Sequence, residues 1–291
     1  MLRLLCLLAV GLSACAPASG GGVDDTGRPV ALDGVPQRVV PLAPNLTELV
    51  AAAAGVERLA AVSQADAFPP EVTARPQFSS FPLDVEALVG LEPDLVLAST
   101  DVISPVQVDG LTSVGLPVWS FTFDAVADVP RALRTLDTLL DTRGGDAVAR
   151  DFEARVAAVT EAVRGAGPPR VLLLIGPDAL YAFGRESYAS ELVRLAGGTN
   201  LTDRYDGAAA QPSAEAILEM APEVIVVLGG PEGRDALLSA HPALAETPAA
   251  RQGRIVHLDP DLVSRAGPRL VDGLERLARL LHPEAFAAGA A

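Results

Sequence analysis

Cysteine, histidine and lysine supply much of the nucleophilic, metal-binding and Schiff-base chemistry of proteins, and this 291-residue chain is poor in all three. Its 22 basic residues are all arginine, so lysine chemistry is absent. The three histidines, His241, His257 and His282, lack the spacing of a zinc site. The two cysteines, Cys6 and Cys15, are too few for a disulfide framework or an iron-sulfur cluster. No Gly-x-Ser-x-Gly elbow presents a serine nucleophile, since Gly184-Arg185-Glu186-Ser187 lacks the second glycine. These patterns argue for recognition rather than catalysis, with no enzyme activity, cofactor or resident metal expected.

Charge and hydrogen bonding remain. The 37 acids give a formal net charge of -15, which argues against a nucleic-acid partner. Glu86 and Glu215 each stand two residues after a capping residue, Asp84 and Ser213. Carboxylates in the first turn complement their own helix N-termini. Asp261 and Arg265 are four apart, the spacing of a helix-surface ion pair. Arg185, Arg204 and Arg265 could attract an anionic chelate together, or be solvated surface charge.

The elements that must position these residues follow from periodicity. Arg3, the apolar run Leu4 to Val10 and the small residues before Cys15 read as a signal peptide over residues 1–14, too short for the ~20 residues of a membrane span. Residues 15–35, rich in Gly, Ser and Pro, read as a tether. From Arg38, short apolar runs alternate with helical patterns, which favours parallel sheets covered by helices. Asn45 and Glu48 have the spacing of a capping box opening a helix that stops at Gly55. Residues 129–166 show only helical spacing, interrupted at Arg143-Gly144-Gly145-Asp146, so one long helix or two abutting helices connect an N-terminal lobe (36–128) to a C-terminal lobe (167–291). Trp119 lies in a strand run and is expected in the core.

An internal echo supports two similar α/β lobes. The stretch Asp84 to Leu97 matches Ser213 to Val226 without a gap: a capping residue, a glutamate two positions on, an apolar helical face, then Pro, an acid and a β-rich run. The proline ends the helix and the acid occupies the turn before a buried strand.

These features, with Leu42-Ala43-Pro44-Asn45-Leu46-Thr47-Glu48-Leu49, Phe68-Pro69-Pro70-Glu71 and Ala196-Gly197-Gly198-Thr199-Asn200-Leu201, resemble the ABC-transporter solute-binding lipoproteins of the iron-siderophore and vitamin B12 receptor family. The resemblance covers nearly the whole mature chain. It implies two α/β lobes with mainly parallel sheets, joined by a long interlobe helix, with the ligand held between them. Leu12-Ser13-Ala14-Cys15 resembles a lipobox, which implies lipidation of Cys15 and an exported, monomeric protein anchored to the cell envelope by lipid alone. Glu86 and Glu215 match the glutamates that dock such receptors onto an ABC permease dimer. The loop Leu258 to Arg269 is similar to that of the B12-binding members, which puts Asp261 and Arg265 against the amide fringe of a corrinoid. Where those members carry cleft tryptophans and tyrosines this chain has Ala65, Ser80, Ser99 and Ala209, so stacking would fall to Phe68, Phe78, Phe81, Phe123 or Tyr205.

The expected ligand set is Asn45, Phe68, Phe81, Phe123, Arg185, Tyr205, Asp261 and Arg265, for a corrinoid. A ferric siderophore or haem is the alternative ligand in the same fold. An exported α/β hydrolase and a sensory binding protein without transport are the alternatives of another class.

Overall fold

The computed structural model describes residues 20–287. The signal peptide and Cys15 lie outside them. The described chain opens with strands β1 (Gly20–Val23) and β2 (Pro29–Leu32), paired antiparallel. The tether expected through residue 35 is therefore partly folded. Val30 and Leu32 are buried, and Gly22 lies so close to the Trp119 ring that an added Cβ would sit 3.3 Å from it. Asp24 ties the turn down: its carboxylate accepts from the backbone N–H groups of Thr26, Arg28 and Ser120. Glycine-rich composition suggests flexibility, but here it lets a strand lie flat on an indole.

The N-terminal lobe continues with β3 (Val39–Pro41), α1 (Pro44–Ala54), β4 (Val62–Ser63), β5 (Gln77–Phe78), α2 (Val85–Gly90), β6 (Leu95–Ser99), α3 (Pro105–Ser113) and β7 (Val118–Phe121). Its main sheet is parallel, in the order β3-β6-β7. Two helices follow, α4 (Asp128–Leu140) and α5 (Gly144–Ala162), in place of one. Asp141 breaks them with φ 51°, and the Asp137 carboxylate accepts from the N–H groups of Gly145 and Asp146, capping α5 from a distance. Gly144 and Gly145 let α5 approach its neighbours: a Cβ at Gly145 would fall 2.3 Å from the Leu133 carbonyl oxygen.

The C-terminal lobe comprises β8 (Arg170–Leu174), β9 (Ala182–Phe183), α6 (Tyr188–Leu195), β10 (Thr199–Asn200), β11 (Ala209–Ala210), α7 (Ala214–Met220), β12 (Val224–Leu228), α8 (Gly233–Ala240), α9 (Pro248–Arg251), β13 (Ile255–Leu258), α10 (Leu270–Leu281) and α11 (Pro283–Ala287). Its sheet runs β11-β9-β8-β12-β13, with β10 also on β8. The β10, β8, β12 and β13 pairings are parallel, whereas β9 is antiparallel to its neighbours.

Strand pleating sends alternate side chains to opposite faces of each sheet. Val39, Leu95 and Leu97 on one side, with Val171 and Leu173 on the other, join Leu133, Phe152, Leu192 and Leu277 in one apolar cluster that runs through both lobes. The alternate residues build separate outer clusters, around Val40, Val96 and Leu88 in the N-terminal lobe and around Leu172, Ile225 and Ile217 in the C-terminal lobe. Trp119 is core, as its strand run predicts.

The internal echo holds at atomic detail. Asp84 and Ser213 cap α2 and α7 by accepting from Ala87 and Ala216 N–H. Glu92 and Ala221, at equivalent positions before the prolines, share a left-handed conformation with φ 46° and 45°. Asp94 and Glu223 each accept from the N–H that opens the neighbouring strand run, at Arg38 and Arg170. The acid in the turn thus fastens the adjacent strand in both lobes.

Candidate ligand-binding cleft

The loops at the carboxyl ends of β3, β6 and β7 face those after β8, β12 and β13, the crevice where open α/β sheets bind ligands. On one side the lobes are joined by polar contacts. Glu48 does not close a capping box. The structure caps α1 with Ala43 and gives Asn45 no cap bond. Instead the Glu48 carboxylate, with 2% side-chain exposure, accepts from Arg269 Nε at 3.0 Å and Nη2 at 2.6 Å. This bidentate pair crosses between lobes, and Arg265 approaches the same carboxylate at 3.7 Å. The Glu48 bonds hold the Arg269 guanidinium above its ordinary pKa. Arg269 also covers the Phe68 ring at 4.1 Å.

Asp66 lies buried beside this bridge. Its Oδ2 accepts from Ser63 N–H at 2.6 Å and Thr47 Oγ1 at 3.0 Å, while its Oδ1 has no partner among the described residues. Burial pushes its carboxyl above the ordinary range, against those two bonds and the Arg265 charge.

On the other side, both lobes line a cavity of about 600 Å³: Asp124 and Ala125 from one, Arg185, Glu186, Ser187, Glu191, Arg194 and Ala208 from the other. Glu191 accepts from Val126 N–H at 2.7 Å, a second interlobe bond. Asp101 stands near this cavity. It keeps accessible surface, yet crowding and then the Asp124 carboxylate raise its pKa. Tyr188, 9% exposed, packs into the shared apolar cluster and lies near Asp101. Burial first, then Asp101, pushes its hydroxyl well above the ordinary tyrosine range. A cavity of about 640 Å³ is lined by the C-terminal lobe alone, by Gly229, Gly230, Asp259 and Pro260 in the loops after β12 and β13 and by Arg276 and Arg279 of α10.

The expected ligand residues separate accordingly. Asn45 is buried between the lobes and donates from Nδ2 to the Ala266 carbonyl at 3.4 Å. Asp261 and Arg265 pair at 3.1 Å on the C-terminal wall. Arg185 is held by the Asp203 carbonyl and the Asp206 carboxylate. Phe68 is partly exposed under Arg269. Phe81 is 94% exposed in the loop before α2. Tyr205 is half-buried against the outer cluster of its lobe. Phe123 is a correction: at 2% exposure it packs on Phe121, with ring centroids 6.2 Å apart, and belongs to the core. Phe78 is likewise core. Both lie at or beside strand ends, where periodicity does not tell a last core residue from a first loop residue.

Arg185 and Arg265 are each neutralised by acids, and Arg204 sits exposed on a short turn, so no bare arginine cluster forms from these three. Among the described residues no group of three or more His, Cys, Asp or Glu is placed to hold a metal ion. No described helix is long and apolar enough to cross a membrane. Sequence reasoning missed the Glu48–Arg269 bridge because Glu48 also fits a local capping pattern.

The profile of the periplasmic binding protein family matches residues 39–262, from β3 into the Asp261 loop. The chain belongs to this family. Among its relatives is an uncharacterised ABC transporter substrate-binding lipoprotein of Bacillus subtilis, 25% identical, with 90% of this chain and 85% of that one aligned. A vitamin B12-binding protein of Pectobacterium carotovorum is 27% identical, over 85% of this chain and 89% of its own. Among solved structures, a periplasmic haem-binding protein of Pseudomonas aeruginosa superposes with a TM-score of 0.76 at 28% identity, covering 86% of this chain and 94% of its own. This periplasmic binding protein is thus a substrate-binding component of an ABC importer and not an enzyme.

Proposed function

We propose that this periplasmic binding protein captures a corrinoid between its lobes and hands it to an ABC permease dimer, docking through Glu86 and Glu215. The observation that carries the ligand reading is the loop after β13. Asp261 and Arg265 present an acceptor and a donor side by side on the cleft wall, a pairing suited to a fringe of carboxamides. Relatives named for vitamin B12 or cobalamin binding, aligned over 85–89% of this chain, support it. Glu86 and Glu215 are both exposed in the first turns of equivalent helices, as docking requires. We further propose that Cys15 carries the lipid that holds a monomeric protein to the membrane. A Cys15→Ala protein should be recovered free of membranes; continued membrane association would overturn the anchor.

Haem is the second reading, favoured by the similarity to the Pseudomonas aeruginosa structure. Two features oppose it. The raised pKa of Tyr188 disfavours the tyrosinate that would ligate iron, and the cleft acids repel propionates. Absorbance and calorimetric titrations with cyanocobalamin, haemin and a ferric hydroxamate decide between them. Saturable binding of cyanocobalamin is expected. Haemin binding with a shifted Soret band, and no corrinoid binding, would overturn the proposal.

A further inference from the structure

The two sheets share a plan that ends differently at one edge. Strands β3, β6 and β7 stand in the same parallel order as β8, β12 and β13, and the matched segments Asp84 to Leu97 and Ser213 to Val226 align β6 with β12. Strand β7 therefore corresponds to β13, and the register makes Ser120, opposite Ala98, the counterpart of His257, opposite Val227. Both strands bond inward at alternate residues. Val96 N–H donates to the Pro117 carbonyl and Thr100 N–H to that of Phe121, as Ile225 N–H does to Arg254 and Gly229 N–H to Leu258. Ser120 and His257 are out of phase with those positions, so their N–H and C=O groups point away from the sheet edge.

The N-terminal hairpin occupies the edge of β7. Ser120 N–H donates to the Asp24 carboxylate at 3.1 Å, and the Ser120 carbonyl accepts from Asp25 N–H at 3.2 Å. The Asp25 carboxylate pairs at 2.7 Å with Arg131 of α4, the helix that follows β7. The edge of β13 lacks such cover: β13 pairs with β12 alone, and no backbone bond among the described residues reaches His257 from outside. His257 lines instead the cavity of about 640 Å³. Into it α10, the helix that follows β13, brings Arg276 and Arg279, which form no ion pair among the described residues. Arg279 lies over the Phe286 ring at 4.7 Å, and the neighbouring Glu275 is already bound by Arg155. Asp259 is the acid that lines the cavity, and its carboxylate accepts from Asp261 N–H in its own loop.

We propose that this edge is a docking site for an extended acidic segment of another protein, which adds to β13 as a further strand and sets carboxylates against Arg276 and Arg279. The backbone groups of His257 supply the pairing and the arginines the charge selection, as Ser120 and Arg131 do for the hairpin at β7. Docking here does not depend on which ligand the cleft takes.

The test uses the mature protein and a synthetic peptide of residues 20–26, the acidic segment that covers the matching edge. Nuclear magnetic resonance should show saturable shifts along β13, with amide exchange at His257 slowed about tenfold. The peptide should bind about tenfold more weakly when its Asp24 and Asp25 are replaced by Asn, and the Arg276→Gln, Arg279→Gln protein should show the same loss towards the unaltered peptide. The peptide series is independent of any folding defect in the variant. No binding of the acidic peptide, binding that leaves exchange at His257 unchanged, or binding indifferent to loss of the carboxylates would overturn the proposal. A dimer by sedimentation, with His257 protected before any peptide is added, would overturn it in favour of a second copy of this chain as the occupant.

Discussion

Glu48 is a buried carboxylate whose two oxygens face two arginines from another lobe, and the stakes of such a site are asymmetric. Building a buried pair costs nearly as much in desolvation as it returns, but removing one partner strands the other. Glu48→Ala should therefore lower the unfolding free energy by about 3 kcal/mol, with Glu48→Gln less damaging because it keeps an acceptor. Urea denaturation measures both, and a loss too small to detect would show that the bridge is incidental. Asp66 behaves differently, because burial raises its pKa above the ordinary 3.8. Between that value and the raised one the native state binds more protons than the unfolded state, so this carboxyl's contribution to stability falls as pH rises. Compared with Asp66→Asn, the wild type should lose stability across that window and run parallel above it. A wild type that instead gains on the variant as pH rises through the window would contradict the burial argument.

Most elements are legible in local sequence, because capping residues, glycines and pleat alternation act over a few positions. The capping residues Asp84 and Ser213, read from spacing, fold as the N-caps of α2 and α7. The hairpin and the interlobe bridge are not legible in this way. Gly20-Gly21-Gly22 becomes a strand by pairing with Val30 to Leu32 while Gly22 rests on Trp119, almost a hundred positions on, and Glu48 meets Arg269 across a separation of 221 residues. Phe123 folds into the core for the same reason, since only the packed lobe shows that the strand's apolar face extends two residues past its hydrogen bonds. Two predictions belong to this scale. Asp24→Ala removes the acceptor for three backbone N–H groups and should cost about 2 kcal/mol, with increased proteolysis at the N-terminal hairpin. Protection equal to wild type would mean that strand pairing alone secures it. At the docking helices, Glu86→Ala with Glu215→Ala should weaken binding to the permease by about tenfold or more, as read by pull-down from membranes. Undiminished binding would point to a sensory role without transport.

The whole molecule is two lobes on one shared central core. The helix α5 spans roughly 28 Å, and its Arg155 reaches Asp272 and Glu275 on α10, adding ion pairs to the apolar contact between connector and C-terminal lobe. With Glu48–Arg269 and Val126–Glu191 on either side of the cleft, closure on ligand should be small. Small-angle scattering with and without ligand should show nearly the same radius of gyration, and a contraction of the size of full domain closure would contradict it. Continuity of the core also predicts a single cooperative unfolding transition in calorimetry, where separable lobes would give two. The folded N-terminal hairpin has a consequence for traffic. With a lipid at Cys15, only five peptide steps reach Gly20, at most about 17 Å of leash. Such a receptor searches for its permease in the plane of the membrane, at an effective concentration far above its average in the compartment. Its grip on that permease can then be weak and short-lived, and delivery still frequent.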